Sequence, residues 1–382
     1  MNQENKKKIL DLRHKLHAHP ELSLKESRTK ERLMDFLKKE TGLEVTDRGH
    51  WFYACCRCGK PEAGAVAFRA EFDALPIAED MDISYCSQNP GVSHKCGHDG
   101  HSAALAGLAL ETDQEAGQEA DTESGRADFS RDVYFIFQHG EEIGAGGEEC
   151  VRLIKEKGIS EVYAFHNMSG YPEGSIVIRD GIFQCASKGF TVHFKGTPSH
   201  ASQPEKGKNP AEAAAELVLE IGRTQKAGIY DGMVLATIVQ VAVGEKDFGI
   251  SAYEGEVSAT LRAYYERDMV KMEQIIRKRA EELAERDGLE VSFADSDVFP
   301  ETVNHAESAE KIKAAAAALG LTVTEMPEPF RASEDFGYYL KQCSGAIFGV
   351  GNGEDYPELH TKNYDFNDRI LETAVEMLKK LR

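Results

Sequence analysis

Apolar residues recur at helical spacing at Ile9, Leu12 and Leu16, and again at Leu33, Phe36 and Leu37, which predicts two helices early in the chain. Between them, His17-Ala18-His19-Pro20-Glu21 carries a proline that a helix interior does not tolerate, so a break is expected there. Residues 65–70 read as a short strand and 102–110 as a helix. Residues 133–138 form a continuous apolar run of the kind found in strands buried on both faces of a parallel sheet. A further strand, 162–165, is expected to end at His166. Strands alternating with helices predict an α/β sheet covered on both sides. Residues 111–132, rich in Glu, Asp, Gly, Gln and Ser, read as a solvated insertion.

The pattern then changes. Strands are expected at 189–195, 233–243, 256–263 and 289–293, with helices at 209–226 and 268–286. The order β-α-β-β-α-β is that of a ferredoxin-like unit. After about residue 299 the earlier pattern resumes, with a helix at 307–319, a strand at 346–350 and a closing helix from about 368. The predicted organisation is a discontinuous first domain, 1–186 and 297–382, interrupted by a second domain at 187–296. In open α/β sheets, sites form at the carboxyl ends of strands.

Composition narrows the function classes. The chain has 382 residues, 41% of them hydrophobic, which suits two folded domains. Its 65 acidic and 45 basic residues give a net charge of -20, which argues against nucleic acid or an anionic membrane as partner. No signal peptide or run of transmembrane length is visible, so a cytoplasmic location and reduced cysteines are expected. Cys55, Cys56 and Cys58 sit in an apolar run and read as buried free thiols.

The chemistry concentrates in Ser93-His94-Lys95-Cys96-Gly97-His98-Asp99-Gly100-His101. Soft and borderline ligands packed at a loop-to-helix junction suggest a transition-metal site. Cys96 and His98, two apart on an extended loop, would point to one side. Thiolate, imidazole and carboxylate together suit zinc and also accept manganese, cobalt or nickel. The remaining ligands must come from elsewhere, and Glu141-Glu142 and His166 stand at strand ends. Adjacent side chains on extended backbone diverge, so a division of labour is expected between the two glutamates. One would bind metal, and the other would act as general base on a water acidified by it. An acidic pair capping the next helix is the plainer alternative.

At these residues the sequence resembles the N-acyl-amino-acid amidohydrolases, the hippurate hydrolase and indole-acetyl-amino-acid hydrolase branch of the aminoacylase/carboxypeptidase dinuclear metallopeptidases. The resemblance runs through His94-Lys95-Cys96-Gly97-His98-Asp99-Gly100-His101, Leu16-His17-Ala18-His19-Pro20-Glu21 and Asp73-Ala74-Leu75-Pro76. It continues through Glu141-Glu142 with Gly146-Gly147, Ser333-Glu334-Asp335-Phe336 and His360. Gly196-Thr197-Pro198-Ser199-His200-Ala201 is similar to a motif, GxGGHAA, on the inserted lid domain of that family.

The resemblance implies a dinuclear metallopeptidase α/β catalytic domain with an inserted ferredoxin-like lid, which also dimerises in relatives. It implies two divalent ions (Zn, Mn, Co or Ni) held by Cys96, His98, Glu142, His166 and His360, with Cys96 bridging. Glu141 would be the general base, and His200 would stabilise the oxyanion in its own site or a partner's. Arg262 would bind a substrate carboxylate or be a plain surface-strand arginine. Asp73 is a candidate support for the ligands, whereas His94 and His101 would serve packing or ligand orientation.

The chain departs from the family pattern at three places. Gly249-Ile250-Ser251-Ala252 stands where the lid usually has Asn-Val-Ile-Pro, Glu71-Phe72 where Asp-Met is usual, and His139-Gly140 where Pro-Ala is usual. The expected activity is hydrolysis of a small-molecule N-acyl amino acid to a carboxylic acid and a free amino acid. A dipeptidase or carboxypeptidase of the same family is the alternative, and a metal-binding protein without turnover is a third reading that the presence of Glu141 disfavours.

Overall fold

The computed structural model describes residues 1–57, 64–120 and 131–382. Cys58 and residues 121–130 of the polar segment lie outside the described residues. The chain divides into two compact units. The first comprises Met1–Phe183, Thr302–Pro329 and Asp335–Arg382, and the second comprises Gln184–Glu301 with Phe330–Glu334.

The first unit is built on an eight-stranded mixed sheet. From one edge its strands are Glu44–Asp47, Phe52–Cys56, Asp132–Gln138, Ala65–Glu71, Ile159–Ser169, Ser344–Gly353, Ile176–Ile178 and Val323–Glu325. The four central strands, from Asp132–Gln138 to Ser344–Gly353, run parallel. Every residue of Ala65–Glu71 is buried, as expected of a parallel strand covered on both faces. The core draws Ile9, Leu12 and Leu16 from helix Gln3–Ala18 and Leu33 and Leu37 from Ser27–Glu40, the residues picked out by helical spacing. Cys55 and Cys56 are buried. No helix among the described residues is long and apolar enough to cross a membrane.

Two sequence expectations fail in this unit. The helix that follows the cysteine loop runs from His98 to Ala120, so residues 111–120 are not a solvated insertion. Glu111 and Thr112 are buried. Glu111 accepts a hydrogen bond from Asn5 Nδ2 at 2.5 Å and pairs with Lys379 Nζ at 3.1 Å. The strand expected to end at His166 continues to Ser169, because it pairs in parallel with Ser344–Gly353 through His166 opposite Gly349.

The second unit is a four-stranded antiparallel sheet with helices Ala211–Thr224 and Glu266–Asp287. Its strand order is Glu290–Phe299, Ala186–Lys195, Glu254–Ala263, Val234–Val243, the ferredoxin-like arrangement. Burial alternates along Glu254–Ala263, with Val257, Ala259, Leu261 and Ala263 inside, which pins the register. These side chains meet Leu217, Ile221, Met272 and Ile276 of the helices in a separate core.

Candidate metal centre

The cysteine loop takes its shape from Gly97. Its φ of 99° lies where side-chain-bearing residues are disfavoured, and a Cβ there would meet Asn167 Oδ1 at 2.2 Å. The turn hands the chain to the long helix, with Gly100 N and His101 N bonded to the Gly97 carbonyl at 2.9 and 3.1 Å. Cys96 and His98 are thereby fixed at a helix start, and both are buried.

His98 is oriented by Asp73, the residue that follows strand Ala65–Glu71 by two. His98 Nδ1 lies 3.0 Å from the Asp73 carbonyl oxygen and 3.1 Å from Oδ1, so Nδ1 carries a proton and, in the neutral ring, Nε2 holds the lone pair. That Nε2 is buried and has no hydrogen-bond partner among the described residues. Around it stand Glu142 Oε1 at 3.7 Å, and Glu141 Oε2 and Glu71 Oε1 at 3.8 Å.

The other imidazoles gather on the sulfur. His166 Nε2 is 3.5 Å and His360 Nε2 is 3.3 Å from Cys96 Sγ, and His360 Nε2 is 3.8 Å from Glu142 Oε2. Two donors bound about 2.0–2.3 Å from one ion at tetrahedral angles stand roughly 3.3–3.8 Å apart. The separations at Cys96, His98, Glu142, His166 and His360 fall in that interval. Together with the orphaned His98 Nε2, this donor set fits divalent cations.

Electrostatics point the same way. Burial would lower the His98 pKa, but Glu71, Asp73 and Glu142 outweigh it and push the imidazole up to about 10. The cluster therefore calls for positive charge. His166 is the reverse: burial, with His101 beside it, lowers its pKa to about 3. Burial and then His98 lower His360 as well. Both rings are held neutral, the form in which imidazole binds metal. His166 Nδ1 donates to the Asn167 carbonyl at 2.7 Å, which leaves Nε2 for the sulfur side.

Glu141 and Glu142 do not lie on extended backbone, and the divergence expected of them fails. They occupy a 3-10 turn, Glu141–Ile143, flanked by Gly140 and Gly144 in left-handed conformations. Both carboxylates consequently reach His98. The turn is tight on its far side, where a Cβ on Gly146 would meet the His139 carbonyl at 1.7 Å. His360 itself has a φ of 63°, a disfavoured conformation for a side-chain-bearing residue. It is held by its own N–H, which donates to the Lys95 carbonyl at 2.7 Å.

Several supporting contacts, those of Glu71 and Asp335 above all, were not read from the sequence, whereas supporting roles for His101 and His17 were. Glu71 bonds both Arg69 and His101, and His101 Nε2 lies 2.6 Å from Asn167 Oδ1. Asp335 accepts from Arg69 Nη2 at 2.6 Å, from Gln138 Nε2 at 2.8 Å and from Gly147 N at 2.7 Å. It thus joins two neighbouring strands to the helix that follows the glutamate turn. The available signal was the spacing of Arg69 and Glu71, two apart on one strand and so on one face. His17 supports the loop as well, placed between Asp99 Oδ2 at 2.8 Å and Glu79 Oε1 at 2.9 Å.

His200 and Arg262 belong to the second unit. His200 is exposed, and its segment pairs with 249–251 through Ala201 N to the Gly249 carbonyl at 3.0 Å and Ser251 N to the Ser199 carbonyl at 2.9 Å. Gly249 therefore contributes backbone where the family pattern has an asparagine side chain. Arg262 spends Nη1 on the Arg331 carbonyl and on Ser333 Oγ at 2.6 Å, which makes it a tie within its own unit.

Residues 67–381 match the profile of peptidase family M20/M25/M40. An uncharacterised hydrolase of Staphylococcus haemolyticus is 30% identical over 368 residues, covering 94% of this chain and 93% of its own. The N-acetylcysteine deacetylase of Bacillus subtilis is 26% identical over 378 residues, covering 98% of this chain and 96% of its own. Among solved structures, a dinuclear metal binding peptidase of the M20 family from Bacillus subtilis superposes with a TM-score of 0.81 at 24% identity, over 100% of this chain and 98% of its own. A protein from methicillin resistant Staphylococcus aureus gives a TM-score of 0.87 at 26% identity, over 99% of this chain and 96% of its own. Matched by the family profile over most of its length, the chain belongs to peptidase family M20/M25/M40 and is a metal-dependent amide hydrolase.

Proposed function

We propose that the protein hydrolyses N-acyl amino acids to a carboxylic acid and a free amino acid. Cys96, His98, Glu142, His166 and His360 would hold two divalent ions. When bound, the ions supply Lewis acidity and bring the pKa of a water to about 7. Glu141 then takes the proton of the attacking water and returns it to the leaving nitrogen. His200 donates to the carbonyl oxygen as negative charge develops there, from its own chain or a second copy. Arg262 serves the substrate carboxylate only if it exchanges its present partners for it.

The observation that carries the reading is the shared neighbourhood of His98 Nε2. Glu142 Oε1 and Glu141 Oε2 stand 3.7 and 3.8 Å from one buried nitrogen that has no hydrogen-bond partner among the described residues. Two carboxylates at one nitrogen support a division of roles, with Glu142 as ligand and Glu141 as base. Support for the acyl substrate comes from the cysteine at the bridging place and from the deacetylase whose sequence this chain matches over 98% of its length. A homodimer through the second unit is part of the proposal, since strand Val234–Val243 lies at a sheet edge and exposes Val239 and Val241.

The test is a hydrolysis screen of N-acyl amino acids against unblocked dipeptides, with divalent metal added back. Faster release from the N-acyl amino acids is expected. Preferential cleavage of unblocked dipeptides would overturn the substrate assignment.

A further inference from the structure

Two residues after His200, Ser202 determines which imidazole nitrogen carries the proton. Ser202 N lies 3.1 Å from His200 Nδ1, and Ser202 Oγ lies 2.8 Å from the same atom. A backbone N–H can only donate, so Nδ1 is the accepting, unprotonated nitrogen. The hydroxyl rotates to donate to the same lone pair. Neutral imidazole holds one ring proton, which is then on Nε2, an atom with no hydrogen-bond partner among the described residues. The segment that presents this pair is itself fastened. Gln203 N donates to the His200 carbonyl at 2.8 Å, and the 249–251 segment, bridged to it at Ile250, flanks it on the other side.

We propose that Ser202 is a positioning residue that locks His200 in its Nε2–H tautomer, so that the ring meets a substrate carbonyl oxygen as a donor. The inference rests on the oxyanion role proposed for His200. The opposite tautomer would present a lone pair to the oxygen and repel the charge developing on it. In the motif GxGGHAA this position is an alanine, which offers the backbone donor but not the hydroxyl. The lock in this chain is therefore double.

The experiment uses zinc-loaded protein carrying 15N-labelled histidine, with the His200 resonances assigned by their absence in His200→Ala. Neutral His200 is expected to be a single Nε2–H tautomer. Ser202→Ala should give a mixture of tautomers and lower kcat about threefold to tenfold on the best substrate of the N-acyl amino acid screen. KM should change less than kcat, and Ser202→Thr should restore both tautomer and rate. An Nδ1–H signal in the unmodified protein would overturn the proposal. So would a Ser202→Ala variant equal to the parent in tautomer and kcat while His200→Ala is impaired. Full kcat in His200→Ala would instead remove the oxyanion role, and this inference with it.

Discussion

Asp73 holds His98 and Glu142 with one carboxylate. Its Oδ1 lies 3.1 Å from His98 Nδ1, while its Oδ2 accepts from Glu142 N at 3.0 Å and from Ser23 Oγ at 2.7 Å. The carboxylate thus fixes the His98 ring with Nε2 towards the other donors and sets the backbone of the glutamate turn at the same time. Asp73→Ala should lower metal affinity about 10–100-fold, the usual loss when a carboxylate behind a ligating histidine is removed. Competition against a chelator measures this. Unchanged affinity would show that His98 does not bind metal through the Nε2 that Asp73 orients.

Glu141→Gln tests the base. The amide keeps the shape and burial of the side chain but cannot take a proton. Metal content should remain near two ions per chain while kcat falls about 10²–10⁴-fold. Retained turnover would remove Glu141 from that role, and loss of metal would make it a ligand instead.

The parts of this site that could be read from the sequence are those whose chemistry is contiguous. Cys96 and His98 announce themselves because ligand types crowd into one loop, and Glu141-Glu142 because an acidic pair follows an apolar strand. Asp335 and Arg69, 266 residues apart, share no local pattern, so their pairing emerges only when the strands assemble. The helix through residue 120 was hidden for another reason. Glu111 and Glu115 look solvated by composition, yet Lys379 lies 3.1 and 2.5 Å from their carboxylates. Polarity marks a residue as needing a partner, and here protein supplies it in place of water. The end of strand Ile159–Ser169 was misplaced by the same logic, since Asn167 is polar and fully buried. In the ferredoxin-like unit, period-two burial is clear along Glu254–Ala263, whereas the strand expected to end at 293 continues to Phe299 with most of its length exposed.

Gly97→Ala should be costly out of proportion to one methyl group. The backbone at φ 99° is strained for alanine, by about 1–3 kcal/mol, and the new Cβ would run into Asn167 Oδ1. Relief requires moving Asn167, which also bonds His101 Nε2 at 2.6 Å and Tyr364 OH at 2.7 Å. The expected result is a lower Tm together with loss of bound metal. A variant with normal metal content and normal Tm would mean that the loop has room the geometry does not show.

Glu26 gives a pH dependence with a definite sign. Its carboxyl is buried, and it accepts from Gly140 N at 2.9 Å, next to the glutamate turn. Burial first and then Asp73 raise its pKa to about 7, against the opposing effect of backbone N–H groups. Because the folded value lies above the unfolded value of 4.5, the folded chain holds the proton more tightly. The stability this confers is fully present below about pH 4.5 and is lost as pH rises through about 7. Glu26→Gln stays neutral and can still accept from Gly140 N, so it should match the parent near pH 5 and exceed it by pH 8. The difference is on the order of 1–3 kcal/mol. Paired denaturant melts of the two metal-free proteins at pH 5 and pH 8 read it directly, and metal-free samples keep ligand titration out of the comparison. A difference that does not change with pH would show that Glu26 is already ionised throughout, held by the backbone N–H groups at the entrance to the turn.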